Sequence, residues 1–294
     1  MSSTVDQQSN ASEEDDISST AAELGDIGSL SPHQPLRNYC FTNWQKGDML
    51  GRGSLGPVYE GVNEFGLCFA VKEVDLPDQG GQGTPSVIQL EQEISLLSQF
   101  QHENIVQYLG TDKDDEKLYI FLELATGGSL AKLYQNYELQ DSHVSAYTRQ
   151  ILNGLNYLHE RNVVHRDIKC ANILIDASGT VKLADFGLAK AITLNDVSIC
   201  KGTAYWMAPE GYGLAADIWS LGCTVLEMLT RKTPYSNMEV MRALFTINSG
   251  VLPHIPDTLS AEAHDFILKC LQVNPDNRPT TAELLDHPFV KRQL

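Results

Sequence analysis

The chain has 294 residues, of which 42% are hydrophobic, enough to bury the core of one large domain or of two packed lobes. Its formal net charge of −17 argues against binding to a phosphate backbone by bulk electrostatics, so no nucleic-acid partner is expected. The six cysteines form no CxxC pair, and no apolar run approaches the ~20 residues that cross a bilayer, which predicts a cytoplasmic protein with no membrane partner.

The first 38 residues are predicted to form a disordered acidic tail. They hold eight serines, seven acidic residues and one basic residue, Arg37, and their apolar positions follow no helical or strand period. This composition is typical of a solvated tail, and a specific docking element is the alternative. The folded domain is expected to occupy residues 39–294.

Residues 44–124 are predicted to form a small lobe rich in β-strands. Short runs of β-forming residues, FAVKEVD at 69–75 and LYIFLEL at 118–124, surround a single helical pattern. The apolar residues of that pattern repeat at intervals of three and four, at Val87, Leu90, Ile94 and Leu97. A sheet with one packed helix is therefore expected.

Residues 127–294 are predicted to form a larger, mainly helical lobe. The apolar residues of 144–158 make one stripe, and 217–230 is apolar nearly all round, as a buried central helix would be. Between these helices, 172–185 predicts a hairpin that turns on Ser178 and Gly179. The fold class is therefore α+β, with two lobes.

A glycine-rich stretch, GRGSLGPVYEG at 51–61, places Gly51, Gly53 and Gly56 in GxGxxG spacing. Without side chains, these positions let backbone amides approach an anionic ligand. A dinucleotide-binding fingerprint would need a helix directly after the glycines, whereas the sequence that follows predicts strand, turn and strand. A glycine-rich flap over phosphates is therefore favoured.

Lys72 lies in the apolar strand FAVK, where an ammonium group is costly to bury without a partner. Glu93 lies three to four residues from Leu90 and Leu97, so it is expected to face inward with the apolar stripe. The pair Lys72–Glu93 would hold a cation ready for phosphates. Each residue taken alone would more often be a surface charge.

The segment HRDIKCANILID at 165–176 gathers polar side chains just before an apolar run. Asn172, together with Asp185 of LADFG, offers the oxygen ligands that Mg²⁺ prefers. Asp167 is then free to receive a proton, and Lys169 would offset the charge that develops on a transferred phosphoryl group.

Two further residues of this segment have different expected roles. Arg166 is expected to meet an anion, such as a phosphorylated loop. His165 follows two valines, and this apolar approach favours a packed, hydrogen-bonded imidazole over a catalytic acid or base.

The motifs occur in the order of the protein kinase signature set, and the chain resembles that family over residues 45–294. The ordered set comprises GRGSLGPVYEG, FAVK, Glu93, HRDIKCAN, DFG, APE, DIWSLG and Arg278 in NRPT. The phrases FLELATGGSL and YWMAPE make it most similar to the mitogen-activated protein kinase kinase kinases of the plant MEKK type.

The resemblance implies a set of site residues. The catalytic residues would be Asp167, Lys169, Lys72 and Glu93, and Asn172 and Asp185 would hold Mg²⁺. The ATP-binding residues would be Gly51, Arg52, Gly53, Gly56, Val58, Ala70, Lys72, Leu122, Glu123, Ala125, Asn172, Leu174 and Asp185. His165 would stack with Phe186, which agrees with its interpretation as a core residue.

The activity implied is transfer of the γ-phosphoryl group of MgATP to serine or threonine of a protein, expected to be a mitogen-activated protein kinase kinase. Lys169 with Thr203 fits selection of these hydroxyls. Activation is expected through an upstream kinase or through self-phosphorylation in trans. Thr193 and Ser198 are the preferred phosphorylation sites.

One departure from the resembled kinases concerns the segment after APE. Only GYGLAA at 211–216 separates Glu210 from Asp217, about eight residues fewer than the pattern implies. Six residues span at most roughly 24 Å, so Glu210 can still reach Arg278, but no helix fits between. A strained anchor and weak phosphate transfer are expected, and a catalytically weak or inactive scaffold is the alternative function.

Overall fold

The structure is a computed structural model that describes residues 41, 43–53, 56–76, 94–186, 190–191 and 203–291. The predicted acidic tail, the greater part of the predicted helix around Leu90, and Glu93 lie outside these residues. So do Thr193 and Ser198.

The first part of the described chain is a five-stranded sheet in which every neighbouring pair is antiparallel. Its spatial order is β1-β2-β3-β5-β4. The strands are β1 (Gln45–Gly53), β2 (Gly56–Val62), β3 (Cys68–Asp75), β4 (Tyr108–Lys113) and β5 (Lys117–Leu122). Residues 94–97 are helical, in agreement with the predicted helix.

Side chains of β3 alternate between the two faces of this sheet, as the twofold period of a strand requires. Phe69 and Val71 are fully buried on one face, where Phe121 of β5 and the partly buried Phe41 and Trp44 pack against them. The opposite face carries Ala70, Lys72 and Val74 of the same strand. The aromatic cluster thus fixes which β3 residues face the rest of the domain.

The remainder is mainly helical, as predicted. Its helices are α1 (Leu130–Asn136), α2 (Asp141–His159), α3 (Leu214–Thr230), α4 (Val240–Asn248), α5 (Ala261–Cys270), α6 (Thr281–Leu285) and α7 (Pro288–Lys291). Five short strands of the described chain accompany these helices, one directly before α1 and four between α2 and α3: β6 (Gly128–Ser129), β7 (Val163–Val164), β8 (Ile173–Ile175), β9 (Val181–Leu183) and β10 (Lys190–Ala191). No helix in the described parts of the chain is long and apolar enough to cross a membrane.

The predicted hairpin is present as β8 and β9, which pair antiparallel. Asp176 fixes the turn, because its Oδ1 accepts hydrogen bonds from the backbone N–H groups of Ser178 and Thr180. Gly179 adopts a φ of +85°, a conformation that side chains disfavour. The turn therefore lies where the sequence predicted it.

Two long helices form the centre of the core. α2 buries the predicted stripe, including Val144, Ile151 and Leu155, and α3 is buried on all sides from 216 to 228. The two helices pack against each other, which brings the C-terminal end of α2 beside the first turns of α3. This contact places His159 next to Asp217.

The connection between Glu210 and α3 is short and contains no helix in this fully described stretch, as predicted. Gly211 and Gly213 have φ angles of +78° and +108°, which only glycine adopts at low cost. α3 then begins at Leu214. The two glycines let the short connection adopt backbone conformations that residues with side chains disfavour.

Candidate active site

The loop that follows β7 is held by one buried carboxylate of α3. Asp217 accepts hydrogen bonds from the backbone N–H groups of His165 at 2.8 Å and Arg166 at 2.9 Å. Its Oδ2 also lies 3.0 Å from Nε2 of His159. Arg166 has a φ of +71°, which is rare for a residue with a side chain, and these bonds stabilise it. Asp217 thus braces this loop through its backbone.

The Asp167 carboxylate accepts hydrogen bonds from three side chains. Its Oδ2 lies 2.8 Å from Lys169 Nζ and 2.7 Å from Asn172 Nδ2, and its Oδ1 accepts the Thr203 hydroxyl at 2.7 Å. Lys169 Nζ also donates to the Thr203 hydroxyl oxygen. The structure therefore joins one carboxylate, one ammonium and one hydroxyl, and Thr203 comes from a segment 36 residues away.

Asp185 lies beside this cluster because the backbone just before it is hydrogen-bonded to the backbone of Asn172. The N–H of Ala184 donates to the carbonyl oxygen of Asn172 at 2.9 Å, so the next residue, Asp185, lies next to the loop. Lys72 Nζ lies 2.6 Å from Asp185 Oδ1, and both side chains are largely buried. The expected partner Glu93 lies outside the described residues, so the pair observed for Lys72 is the one with Asp185.

The glycine-rich strands approach the same carboxylate. A Cβ added to Gly53 would lie 3.3 Å from Asp185 Oδ2, whereas a Cβ on Gly51 would meet nothing within 4 Å. Gly56 has a φ of +153°, and a Cβ there would lie 2.1 Å from the carbonyl oxygen of Glu73. Arg52 is exposed on β1. A side chain at Gly56 would therefore force the backbone to move, whereas a side chain at Gly53 would make a tight contact with the Asp185 carboxylate.

Four of the predicted nucleotide-binding residues share one face of the five-stranded sheet. Val58 pairs with Lys72, and Ala70 pairs with Leu122, so register places their side chains on the same side. Glu123 and Ala125 lie in the link between β5 and β6, and Leu174 lies on β8. Val58, Ala70, Lys72 and Leu122 thus form one continuous surface across β2, β3 and β5.

His165 is a core residue, as the sequence indicated. Its ring lies 4.8 Å from the ring of Phe186, and its Nε2 donates to the carbonyl oxygen of Ala184 at 3.1 Å. Burial lowers the pKa of the His165 imidazole, which is completely enclosed. A neutral, hydrogen-bonded imidazole supports the loop without exchanging protons there.

Arg278 anchors the segment that ends at Glu210. Its guanidinium forms a bidentate pair with the Glu210 carboxylate, with Nη2 lying 2.8 Å from Oε2. Nη1 also donates to the carbonyl oxygen of Ala215 at 2.8 Å, and Nε donates to that of Gln272 at 2.7 Å. The anchor expected from the sequence is formed despite the short connection.

Sequence reasoning missed two buried charged residues near the site. Glu227 on α3 accepts hydrogen bonds from Tyr134, Cys170 and Trp206. The signal for it was an acidic residue inside the apolar second half of α3, since a buried carboxylate requires hydrogen-bond partners. Lys182 on β9, also buried, pairs with Glu123 at 2.8 Å, and no local pattern joins two residues so far apart.

Comparison with known proteins agrees with this geometry. Residues 44–290 match the protein kinase domain. The chain is 62% identical over 276 residues to mitogen-activated protein kinase kinase kinase 1 of Arabidopsis thaliana, an overlap of 91% of this chain and 45% of that protein. It is 52% identical over 285 residues to mitogen-activated protein kinase kinase kinase 1b of Physcomitrium patens, covering 95% of this chain and 36% of the relative.

A third relative, mitogen-activated protein kinase kinase kinase 3 of Arabidopsis thaliana, is 62% identical over 257 residues, which cover 85% of this chain and 46% of that protein. The chain thus spans less than half the length of these curated relatives. The resemblance seen in the sequence is confirmed, and the chain belongs to the protein kinase domain family.

Proposed function

We propose that this chain is a serine/threonine protein kinase that transfers the γ-phosphoryl group of ATP to a hydroxyl group of a protein. The observation that carries the proposal is the cluster around Asp167, in which Lys169 and Thr203 converge on one carboxylate beside Asp185. Phosphoryl transfer needs positioning and charge stabilisation more than covalent chemistry, and this cluster supplies both.

Each residue of the cluster has a distinct role in the proposal. Asp167 accepts the proton of the substrate hydroxyl, while hydrogen bonds from Thr203 and Lys169 hold its carboxylate in place. Lys169 offsets charge on the transferred group, since its ammonium already lies 2.8 Å from Asp167. Lys72 holds phosphate oxygens, and Glu93 is proposed to orient it.

The donor set also suits a divalent cation, for which we propose Mg²⁺. Asn172 donates from Nδ2 to Asp167, and none of the described residues donates to its amide oxygen. Asp185 adds a carboxylate, and oxygen ligands of these types are those that Mg²⁺ prefers. When bound, the cation would neutralise phosphate charge. A Cβ at Gly53 would make a tight contact with the Asp185 carboxylate, which favours glycine in a strand that covers phosphates.

We further propose that the substrate is a mitogen-activated protein kinase kinase, on the basis of the names of the relatives. Activation through an upstream kinase or through self-phosphorylation in trans fits the buried Nε of Arg166, which has no hydrogen-bond partner among the described residues. The kinase domain is proposed to occupy residues 39–294, close to the matched range.

The alternative of a catalytically weak scaffold has no support. It depended on strain in the anchor after Glu210, and the Glu210–Arg278 pair is bidentate. The loop brace at Asp217 is also complete. The relatives that the chain matches are named as kinases.

The test of the proposed function replaces Asp167 with Asn. Asp167→Asn should lower kcat by roughly 10²-fold or more while nucleotide affinity stays near that of the wild type, because proton acceptance is lost and the phosphate site is not. Asp185→Asn is the contrasting variant and should weaken Mg²⁺-dependent nucleotide binding. Phosphate transfer to a catalytically dead kinase kinase and calorimetric nucleotide affinity are the measurements.

Near-normal turnover by Asp167→Asn would show that this carboxylate is not the proton acceptor. Absence of transfer by the wild-type protein, with nucleotide bound, would instead contradict the proposed activity.

A further inference from the structure

The face of the five-stranded sheet that carries Phe69 and Phe121, here called the outer face, is contacted by an aromatic residue that precedes the kinase-domain match. That match begins at residue 44, and Phe41 lies before it. The ring of Phe41 stacks on the ring of Phe121 with 4.6 Å between centroids, and it meets the ring of Phe69 edge-on at 5.1 Å. A segment outside the matched range thus contacts both β5 and β3.

Phe41 also reaches β4. A Cβ added to Gly110 would lie 3.4 Å from the Phe41 ring. Gly110 pairs with Phe121, and within these fully described strands the register shifts between Tyr108 and Gly110, which leaves Leu109 unpaired. Leu109 packs against the same aromatic cluster. Phe41 therefore lies over three strands, at the point where the β4–β5 ladder is irregular.

Phe41 and Trp44 cover the outer face in place of a second layer of secondary structure. An apolar sheet face must be buried against another element, and Phe69 and Phe121 are fully buried. Among the described residues, the members of the aromatic cluster that lie outside strands are Phe41 and Trp44. Trp44 meets the ring of Tyr119 edge-on at 5.3 Å. Removal of the Phe41 ring would therefore uncover part of the Phe121 ring.

The strands beneath Phe41 carry proposed nucleotide-binding residues on their opposite face. Leu122 directly follows Phe121, Ala70 directly follows Phe69, and Ala70 pairs with Leu122. Successive residues of a strand point to opposite faces and share one backbone. A shift of β5 or β3 on the outer face therefore moves the residues that would contact the nucleotide.

We propose that Phe41 is a positioning residue that holds β3, β4 and β5 together from the outer face and thereby raises the affinity of the opposite face for ATP. The inference rests on the proposed kinase function, which places the nucleotide on that face. Without this contact, the sheet adopts the binding-competent arrangement in only a fraction of the molecules, and the apparent Kd rises as that fraction falls. The segment before the matched domain thus acts directly on ATP binding.

The decisive variant is Phe41→Ala in the full chain, studied by calorimetry with ATP and by steady-state phosphate transfer. It should raise the Kd and the KM for ATP roughly three- to tenfold, as a competent fraction of about a third to a tenth implies. The value of kcat at saturating ATP should stay within about twofold of the wild type, because bound nucleotide restores the arrangement and the Asp167 cluster is unchanged. Phe41→Tyr keeps the ring and should restore most of the affinity.

Tyr147→Ala is the matched control. Tyr147 is a half-buried aromatic residue of α2 that packs against the core of the helical part, so its removal disturbs that part instead of the five-stranded sheet. It should lower the Tm but leave the KM for ATP unchanged, which separates positioning from a general loss of stability. Equal rises of this KM in Phe41→Ala and Tyr147→Ala would overturn the proposal, as would a wild-type KM in Phe41→Ala.

Two further measurements keep the test decisive. If Phe41→Ala does not fold, Phe41→Leu replaces it, because leucine keeps an apolar side chain but loses the stack; a raised KM for ATP supports the proposal, and a wild-type KM overturns it. If the wild-type protein binds no ATP, the proposed function fails, and amide hydrogen exchange of residues 108–113 tests the contact itself. Faster exchange there in Phe41→Ala but not in Tyr147→Ala supports it, and equal exchange in the two variants overturns it.

Discussion

The Arg278 anchor gives the most direct quantitative test of the fold around the site. Arg278→Met removes the bidentate pair with Glu210 and the bonds to the carbonyl oxygens of Ala215 and Gln272. Loss of one partner of a buried pair costs about 3 to 5 kcal/mol, and the partial exposure of Glu210 puts this case near the lower value. In a domain of this size, about 3 kcal/mol corresponds to a fall in Tm of roughly 6 to 12 °C.

Arg278→Lys should lie between the wild type and Arg278→Met, because an ammonium keeps the charge but cannot form the planar two-bond contact. Arg242→Met is the matched control, since Arg242 is exposed on α4 and the same chemical change there should alter stability by less than about 0.5 kcal/mol. Scanning calorimetry gives the Tm values, and phosphate transfer is measured on the same preparations. A Tm for Arg278→Met within about 2 °C of the control would refute the view that this pair anchors the segment.

Two further predictions concern the glycine-rich strand and pH. Gly53→Ala should weaken ATP binding by about 1 kcal/mol, or roughly fivefold in Kd, because its Cβ would meet the Asp185 carboxylate. Gly51→Ala should weaken binding less, since its Cβ meets nothing, and equal effects in calorimetry would contradict the steric argument. For His165, burial lowers the pKa of the imidazole in the folded protein below its usual 6.5. As the pH drops below ~6.5, the unfolded chain therefore binds a proton at this imidazole that the folded protein does not, and the free energy of unfolding falls. His165→Phe should flatten this loss in urea unfolding between about pH 7 and 5, and exposed His254→Gln should not. Identical slopes in all three proteins would show that His165 does not contribute.

Features that depend on local patterns could be predicted from the sequence. The hairpin turn at Gly179 and the buried stripe of α2 follow from periodicity and turn chemistry, and the core role of His165 follows from its apolar neighbours. The residues around Asp167 were found because several short motifs occur in one order. The structure then adds the distances that make them one cluster.

Contacts between distant segments could not be predicted in the same way. The donors to Glu227 lie 21, 57 and 93 positions away along the chain, and nothing in the sequence near Glu227 identifies them. Lys182 and Glu123 are likewise joined only by the packing of β9 against the link after β5. Strain in the anchor after Glu210 was expected from a count of residues, but the count did not include the backbone freedom of Gly211 and Gly213.

The contacts at the two ends of the connection between Glu210 and α3 indicate that its length can vary. One guanidinium, that of Arg278, donates to Glu210 on one side of the connection and to Ala215 on the other, so its two ends are held together whatever lies between them. Loop-closure entropy grows slowly, by ~0.6 kcal/mol for each doubling of length, so insertions here have a small thermodynamic cost. With Tyr212 half exposed at the middle of the connection, added residues would emerge into solvent. A longer connection at this point is thus compatible with an intact Glu210–Arg278 anchor and an intact Asp167 cluster.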